Sequence, residues 1–323
     1  MAQEITVLDG YTLNPGDISW EPFSARGELT VYDRTPDGLV LERAAGIEYL
    51  LTNKTILTGD ILRRLNDLRY VGSLATGYDT VDLEVARARG GGVTIIPTYD
   101  TDSVAQHATA LMLEFARGVG IHDRAVHEGE WSRSEDFCFV KQPMVELTGK
   151  TLGLIGLGRI GLAFARIASA MGMRVVAHDL YWPDAEKLEG LTIEQSTIDE
   201  VFEQADVISL HCPLTPETQH LVNAQRLALA KANALLINTS RGPLVDNAAL
   251  ATALVDGRIA GAALDVLDVE PPPEDNPLLT APNCLITPHI AWYAAEARQR
   301  LMQIGADNLA AFLDGKPVNV VNP

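Results

Sequence analysis

Residues 148–161 read T-G-K-T-L-G-L-I-G-L-G-R-I-G. A short apolar run leads into Gly156, Gly158 and Gly161 in G-x-G-x-x-G spacing, and a helical pattern follows to Met171 with a stop at Gly172. Glycines also cluster in ordinary turns, so the spacing alone is a weak sign; flanked by a strand and a helix it becomes a strong one. Gly156 permits the tight turn, Gly158 lets backbone approach a pyrophosphate, and Gly161 lets helix and strand pack closely. The helix N-terminus adds N–H groups and positive dipole. The stretch therefore predicts a dinucleotide-binding βαβ unit. Its next strand, 174–178, is closed by Asp179, at the distance where a carboxylate accepts from the adenosine ribose hydroxyls. A 2′-phosphate would meet that carboxylate, and Leu180, Tyr181, Trp182 and Pro183 provide no cation to neutralise it, which favours NAD over NADP. The competing reading of Asp179 is a residue that merely opens a turn before Pro183.

Outward from this motif, short β-branched runs alternate with segments of helical period, the signature of βα repeats on parallel sheets. Downstream, Thr197 and Glu200 form a capping box that opens a helix to Ala205. Strands are expected at 207–211, 235–238, 260–266 and 285–287, with helices at 247–256 and 294–313. The prolines at 271–273 exclude helix and central strand. Upstream, 5–8, 49–52, 68–72 and 93–96 read as strands, and 81–89 as a helix ending at Gly90. From Ser103 a long helical segment is apolar on much of its circumference and needs burial on more than one side. The following loop, 129–144, carries Trp131, Phe137 and Phe139 among charges. It reads as a surface loop held to the body by aromatics, or as an arm crossing to another subunit.

With 323 residues, 47% of them hydrophobic, the chain is long enough for two domains. Its 43 acidic and 25 basic residues give a formal charge of −18. Such a field repels nucleic-acid phosphates and anionic membranes, so partners of those kinds are not expected. Cys138, Cys212 and Cys284 are far apart, with no C-x-x-C spacing for a redox pair or zinc, and no metal site is predicted. No basic segment leads into an apolar stretch at the N-terminus, and no window matches a membrane span. A cytoplasmic protein is expected.

The candidates for chemistry follow strand ends. Reduction of a keto acid by a bound nicotinamide needs a proton donor to the developing alkoxide and a cation near the substrate carboxylate. Arg241, in N-T-S-R-G-P, follows the strand at 235–238 and so lies at the carboxyl edge of a parallel sheet, where doubly wound folds place ligands. Its guanidinium can fork onto a carboxylate, although an arginine in such a turn also fits a plain surface role. His289, in I-T-P-H-I-A-W, and Glu270, in L-D-V-E-P-P-P, also lie just past strands. A neighbouring carboxylate stabilises the protonated imidazole that would donate to a carbonyl oxygen. The other histidines, His107, His122, His127, His178, His211 and His220, read individually as structural or solvated.

At these residues the chain resembles the D-isomer-specific 2-hydroxyacid dehydrogenases over essentially its whole length. Seven motifs agree in order: S-L-A-T-G-Y-D-T-V-D from Ser73, T-D-S-V-A-Q-H from Thr101, G-L-G-R-I-G from Gly156, H-C-P-L-T from His211, N-T-S-R-G from Asn238, A-L-D-V-L-D-V-E-P-P-P from Ala263 and T-P-H-I-A-W from Thr287. The resemblance implies an α/β fold of two doubly wound, Rossmann-like or flavodoxin-like parallel-sheet domains with a cleft between them. Residues 1–100, completed by 291–323, would form the substrate domain and 101–290 the NAD-binding domain. It implies that Arg241 binds substrate, that Glu270 pairs with His289, and that His289 donates the proton. Asp265 would hold the nicotinamide carboxamide, and backbone N–H groups at Leu74, Ala75 and Thr76 would grip the substrate carboxylate. Further cofactor contacts are implied for Val104, Arg159, Ile160, His211, Pro213, Thr218 and Thr239. The helix from Ser103 would lie in a homodimer interface.

Within the family the chain looks most like the glycerate dehydrogenase and hydroxypyruvate reductase group, in L-A-T-G-Y, G-E-W-S-R-S and S-V-A-Q-H. The implied reaction is NADH-dependent reduction of hydroxypyruvate or glyoxylate to the D-2-hydroxy acid. D-lactate or a bulkier 2-keto acid is the neighbouring reading, and an NAD(H)-sensing co-regulator acting by protein contacts is the reading from another class. Ser73 stands where phosphoglycerate dehydrogenases tend to carry a basic residue, which disfavours a phosphorylated substrate. Glu270 stands where formate dehydrogenases carry glutamine. Thr80 departs from the asparagine of many relatives.

Overall fold

The computed structural model describes residues 3–323. The chain up to Asp100, together with Trp292–Pro323, forms one compact unit, and Thr101–Ala291 forms another. In the first unit the strands are β1 (Glu4–Val7), β2 (Glu28–Val31), β3 (Tyr49–Thr52), β4 (Tyr70–Ser73) and β5 (Gly92–Thr94). They make a parallel sheet in the order β2-β1-β3-β4-β5. Its helices are α1 (Glu21–Ser24), α2 (Val40–Ala44), α3 (Gly59–Arg64), α4 (Leu83–Ala88) and, from the C-terminus, α11 (Ala295–Leu313).

β3 and β4 are buried along their whole length, as expected where helices cover both faces of a parallel sheet. One face packs Phe23, Tyr70, Leu301, Met302 and Leu309, so α11 completes this core; the other packs Leu50, Leu57, Val71 and Val93. Arg298 of α11 is buried and forks onto Asp17 at 2.8 and 2.6 Å. That hydrogen bond holds the Asp17 carboxyl below its ordinary range.

The second unit begins with α5 (Thr101–Arg117) and α6 (Val119–His127). Its strands are β6 (Thr151–Ile155), β7 (Arg174–His178), β8 (Ile193–Gln195), β9 (Val207–Leu210), β10 (Leu235–Asn238), β11 (Gly261–Leu264) and β12 (Cys284–Ile286). Its remaining helices are α7 (Arg159–Ala170), α8 (Ile198–Gln204), α9 (Ala224–Leu229) and α10 (Asn247–Val255). The sheet is parallel throughout, in the order β12-β11-β10-β9-β6-β7-β8. The chain moves outward from β6 to β8, then returns to the other side of β6 at β9. That reversal is the topological switch point where such sheets bind ligands.

The capping box at Thr197 and Glu200 is present in full. Elements that the sequence pattern misses are mostly short or lie at sheet edges. β2 alternates exposed and half-buried residues, and β8 is largely exposed, so neither shows the apolar run of a central strand. α6 falls where no helix was expected, immediately after Gly118 turns the chain with φ of +58°. The loop at 129–144 also corrects one expectation. Trp131 is 52% and Phe137 90% exposed, so these rings do not hold the loop to the body of the unit. The Trp131 indole N–H instead donates to the Phe137 carbonyl, and the half-buried Phe139 ring lies tilted against His122, 6.5 Å between centroids.

Candidate active site

The cofactor half of the second unit is built from backbone. Gly156 has φ of +100°, and a Cβ there would lie 2.5 Å from the His211 carbonyl carbon. A Cβ on Gly161 would meet the Gly156 carbonyl oxygen, so helix α7 packs directly on the β6 turn. At Gly158, by contrast, a Cβ would project into open space, at the N-terminus of the 12-residue α7. Arg159 and Ile160 form the first turn of that helix. The Asp179 carboxylate accepts from the Leu157 N–H at 2.5 Å and the Tyr181 N–H at 2.8 Å, tying the glycine turn to the end of β7. Each oxygen keeps a further lone pair.

His211 lines the same switch point. Its ring bonds Ser209 at 2.9 Å and meets the Phe164 ring edge to face. Desolvation pulls its pKa down to about 4, so it is neutral at ordinary pH. Thr218 Oγ1 donates to the Pro213 carbonyl at 2.8 Å, so it shapes the loop after β9. Thr239 Oγ1 is buried with no partner among the described residues. Val104 is buried in α5. An open helix N-terminus, an orphaned buried hydroxyl and a carboxylate past the second strand together fit a dinucleotide.

The reactive half is built from side chains on three adjacent strands. β10 leads to Arg241, β11 to Asp265 and Glu270, and β12 to His289; because the strands are parallel, all four residues fall at one edge. Asn238 organises the first loop, donating to the Arg241 carbonyl and accepting from the Ser240 N–H. Arg241 is exposed, and its guanidinium donates to the Ser240 carbonyl at 2.8 Å. Gly242 sets the spacing to the next loop: a Cβ there would lie 1.8 Å from the Leu267 carbonyl oxygen. The Leu267 N–H in turn donates to Glu270 Oε1 at 3.0 Å. Glu270 Oε2 lies 2.5 Å from His289 Nδ1, leaving Nε2 as the ring's other functional atom. Gly242 escaped the sequence reading; the close approach that requires it depends on a loop far along the chain.

Asp265 is 1% exposed. Its Oδ1 accepts from the Thr287 hydroxyl at 2.6 Å and the Ile290 N–H at 2.9 Å, and its Oδ2 from the Ala291 N–H at 2.8 Å. Burial raises this carboxyl, but hydrogen bonds from His107, Thr287, Ile290 and Ala291 outweigh it and hold the pKa below the ordinary value. With about four acceptor positions on a carboxylate, Oδ2 keeps room for one more donor. In the first unit, the Leu74 N–H donates to the Thr52 carbonyl at 2.7 Å, which corrects its expected role as a free anchor. Among the described residues, the N–H groups of Ala75 and Thr76 make no such bond, while the Thr76 hydroxyl holds the Ile96 carbonyl at 2.9 Å.

Of the other histidines, His122 bonds Gly118 and Lys141, His178 the Ser196 carbonyl, and His127 lies beside Asp123. Among the described residues, no cluster of His, Cys, Asp and Glu has the makings of a metal site. Nor, among them, is any helix long and apolar enough to cross a membrane. A cavity of about 610 Å³ between α5 and α7, lined by Asp102, Arg159, Arg166 and Lys187, contains none of Arg241, Glu270 and His289.

The sequence model for the NAD-binding domain of D-isomer specific 2-hydroxyacid dehydrogenases matches residues 109–291, more than half of the chain. The chain belongs to this family. It is therefore an oxidoreductase of the 2-hydroxyacid dehydrogenase class with a nicotinamide cofactor, and it falls in the glycerate dehydrogenase and hydroxypyruvate reductase group. A hydroxypyruvate reductase of Blautia hydrogenotrophica is 48% identical over 322 residues, 99% of each chain. A glycerate dehydrogenase of Methylorubrum extorquens is 39% identical over 325 residues, again 99% of each. Among solved structures, an NADPH-dependent glyoxylate/hydroxypyruvate reductase of Sinorhizobium meliloti, in complex with NADP and malonate, matches with a TM-score of 0.83 and 31% identity. The match covers 99% of this dehydrogenase and 97% of that chain.

Proposed function

We propose that this dehydrogenase reduces hydroxypyruvate or glyoxylate to the D-2-hydroxy acid with NADH, and that His289 donates the proton. The observation that carries the mechanism is the His289–Glu270 pair at 2.5 Å beside the Arg241 loop, on adjacent parallel strands. Bound nicotinamide supplies the hydride. The Glu270 carboxylate keeps the proton on Nδ1 and stabilises the imidazolium, so Nε2 presents the acidic proton to the alkoxide forming on the substrate. Arg241 holds the substrate carboxylate by its guanidinium fork. Gly156, Gly158, Gly161, Asp179, Thr239 and Asp265 hold the cofactor, making residues 101–290 the cofactor domain and the remainder the substrate domain.

The choice of substrate rests on the 48% identical hydroxypyruvate reductase. The choice of NADH rests on Asp179, whose negative charge faces any 2′-phosphate with the exposed Leu180 and Tyr181, not cations, following it. The exposed Val119, Val126, Trp131, Phe137 and Val140 support a homodimer through α5, α6 and the 129–144 loop. The three free thiols fit a reducing, cytoplasmic location.

The direct test follows NADH and NADPH absorbance with hydroxypyruvate, glyoxylate, pyruvate, a branched 2-keto acid and 3-phosphohydroxypyruvate. Preference for hydroxypyruvate or glyoxylate with NADH supports the proposal. Preference for pyruvate or a branched acid moves the substrate and leaves the mechanism. Failure to turn over any of them overturns the enzyme reading in favour of a cofactor-sensing protein.

A further inference from the structure

Helix α5 touches the loop that carries His289 at two points, one on each side of it. Ser103 Oγ donates to the Ala291 carbonyl at 2.7 Å. One helical turn later, His107 Nε2 lies 3.0 Å from Thr287 Oγ1 and 3.5 Å from Asp265 Oδ1. Residues four apart share a helix face, so a single face of α5 grips residues 287–291 at both ends. The proton arrangement follows from the donors present. The Thr287 hydroxyl gives its hydrogen to Asp265, which leaves the hydroxyl oxygen as an acceptor; His107 must therefore carry a proton on Nε2 and donate it.

The loop needs such a grip. His289 has φ of +56°, a left-handed conformation that costs free energy in any residue with a side chain and persists only where its surroundings enforce it. Its N–H is held by the carbonyls of Asp265 and Thr287, and the next two N–H groups by the Asp265 carboxylate. Thr287 and Asp265 are thus the posts of the turn, and His107 bonds the first and approaches the second.

We propose that His107 is a positioning residue for the proton donor: its Nε2–H fixes Thr287 and Asp265, and through them the left-handed turn that presents the His289 imidazole to Glu270. The proposal rests on the reading of His289 as the acid. It gives α5 a part in the chemistry without contact with the reacting atoms, and it separates the two jobs of this helix face, since Ser103 secures only the far end of the loop.

The test compares the wild-type protein with His107→Ala and His107→Gln, because the glutamine amide places an N–H donor near the position of Nε2. For His107→Ala, kcat for hydroxypyruvate reduction is expected to fall about 10- to 100-fold, with the NADH dissociation constant within about twofold of wild type. His107→Gln is expected to recover most of the loss. The low-field proton resonance of the His289–Glu270 hydrogen bond, read without substrate or cofactor, should broaden or vanish in His107→Ala and return in His107→Gln. If His107→Ala fails to fold, the glutamine variant decides: wild-type kcat and resonance support the donor role, and a folded but impaired His107→Gln overturns it. Wild-type kcat and resonance in a folded His107→Ala overturn it as well. Absence of turnover by the wild-type protein would sink the functional reading instead, and the resonance would still report on positioning.

Discussion

The two halves of the seven-stranded sheet's carboxyl edge are built in opposite ways. Around β6 and β7 the surface is backbone: a left-handed glycine, a second glycine open to space and a third, within α7, pressed against the turn. Around β10, β11 and β12 it is side chain: Arg241, Glu270 and His289, each held by bonds to its own or a neighbouring loop. Backbone suits a pyrophosphate, which needs close N–H donors and little discrimination, whereas moving a proton needs a titratable group in one orientation. The first half is therefore specified by what is missing at three positions. The second depends on supporting contacts drawn from distant parts of the chain.

Substitutions on the two halves should fail differently. The largest expected effect lies on the reactive half. Glu270→Gln removes the charge that holds the His289 proton, and kcat for keto-acid reduction should fall by about 10² to 10⁴, with NADH binding, read by fluorescence titration, unchanged. An equal loss in NADH affinity would mean that the halves are not separable.

Next in size is an effect of acid on the cofactor half. His211 is neutral in the fold with a pKa of about 4, against 6.5 when unburied. A lowered folded pKa means that the unfolded chain binds more protons between those values, so stability is full above about pH 6.5 and declines towards about pH 4. The loss is up to about 3 kcal/mol. Urea denaturation from pH 7 to 4 should show this slope, and His211→Gln should flatten it. An unchanged slope would show that the ring is solvated.

Gly242→Ala should destabilise by about 1–3 kcal/mol, because its methyl group collides with the Leu267 backbone that orients Glu270. It should also lower kcat, and wild-type melting with wild-type kcat would show that the two loops give way freely. The smallest effect is on cofactor choice: Asp179→Ala should raise the NADPH-to-NADH ratio of kcat/KM about tenfold by removing a repulsion. A constant ratio would locate cofactor selection elsewhere.

The two halves also differ in how far they show in the amino-acid sequence. The glycine turn is local, lying within residues 156–161, and its spacing announces strand, turn and helix at once. Arg241, Glu270 and His289 stand out by type and by their position after strands, but what holds them does not. Gly242 reads as an ordinary loop glycine until Leu267 is placed against it. His107 reads as one histidine on an apolar helix until Thr287 is beside it. Asp265 suggested a cofactor ligand, and the structure shows it engaged first in building the His289 turn. Edge strands β2 and β8 are silent because half-exposed strands lack the apolar run that marks central ones.

On the proposed mechanism the His289–Glu270 pair moves a proton and does not hold the cofactor. The most direct measurement is the kcat of His289→Ala for hydroxypyruvate reduction beside its NADH dissociation constant. A kcat lower by about 10² to 10⁴ with NADH affinity unchanged is expected. A kcat near that of the wild type would contradict it.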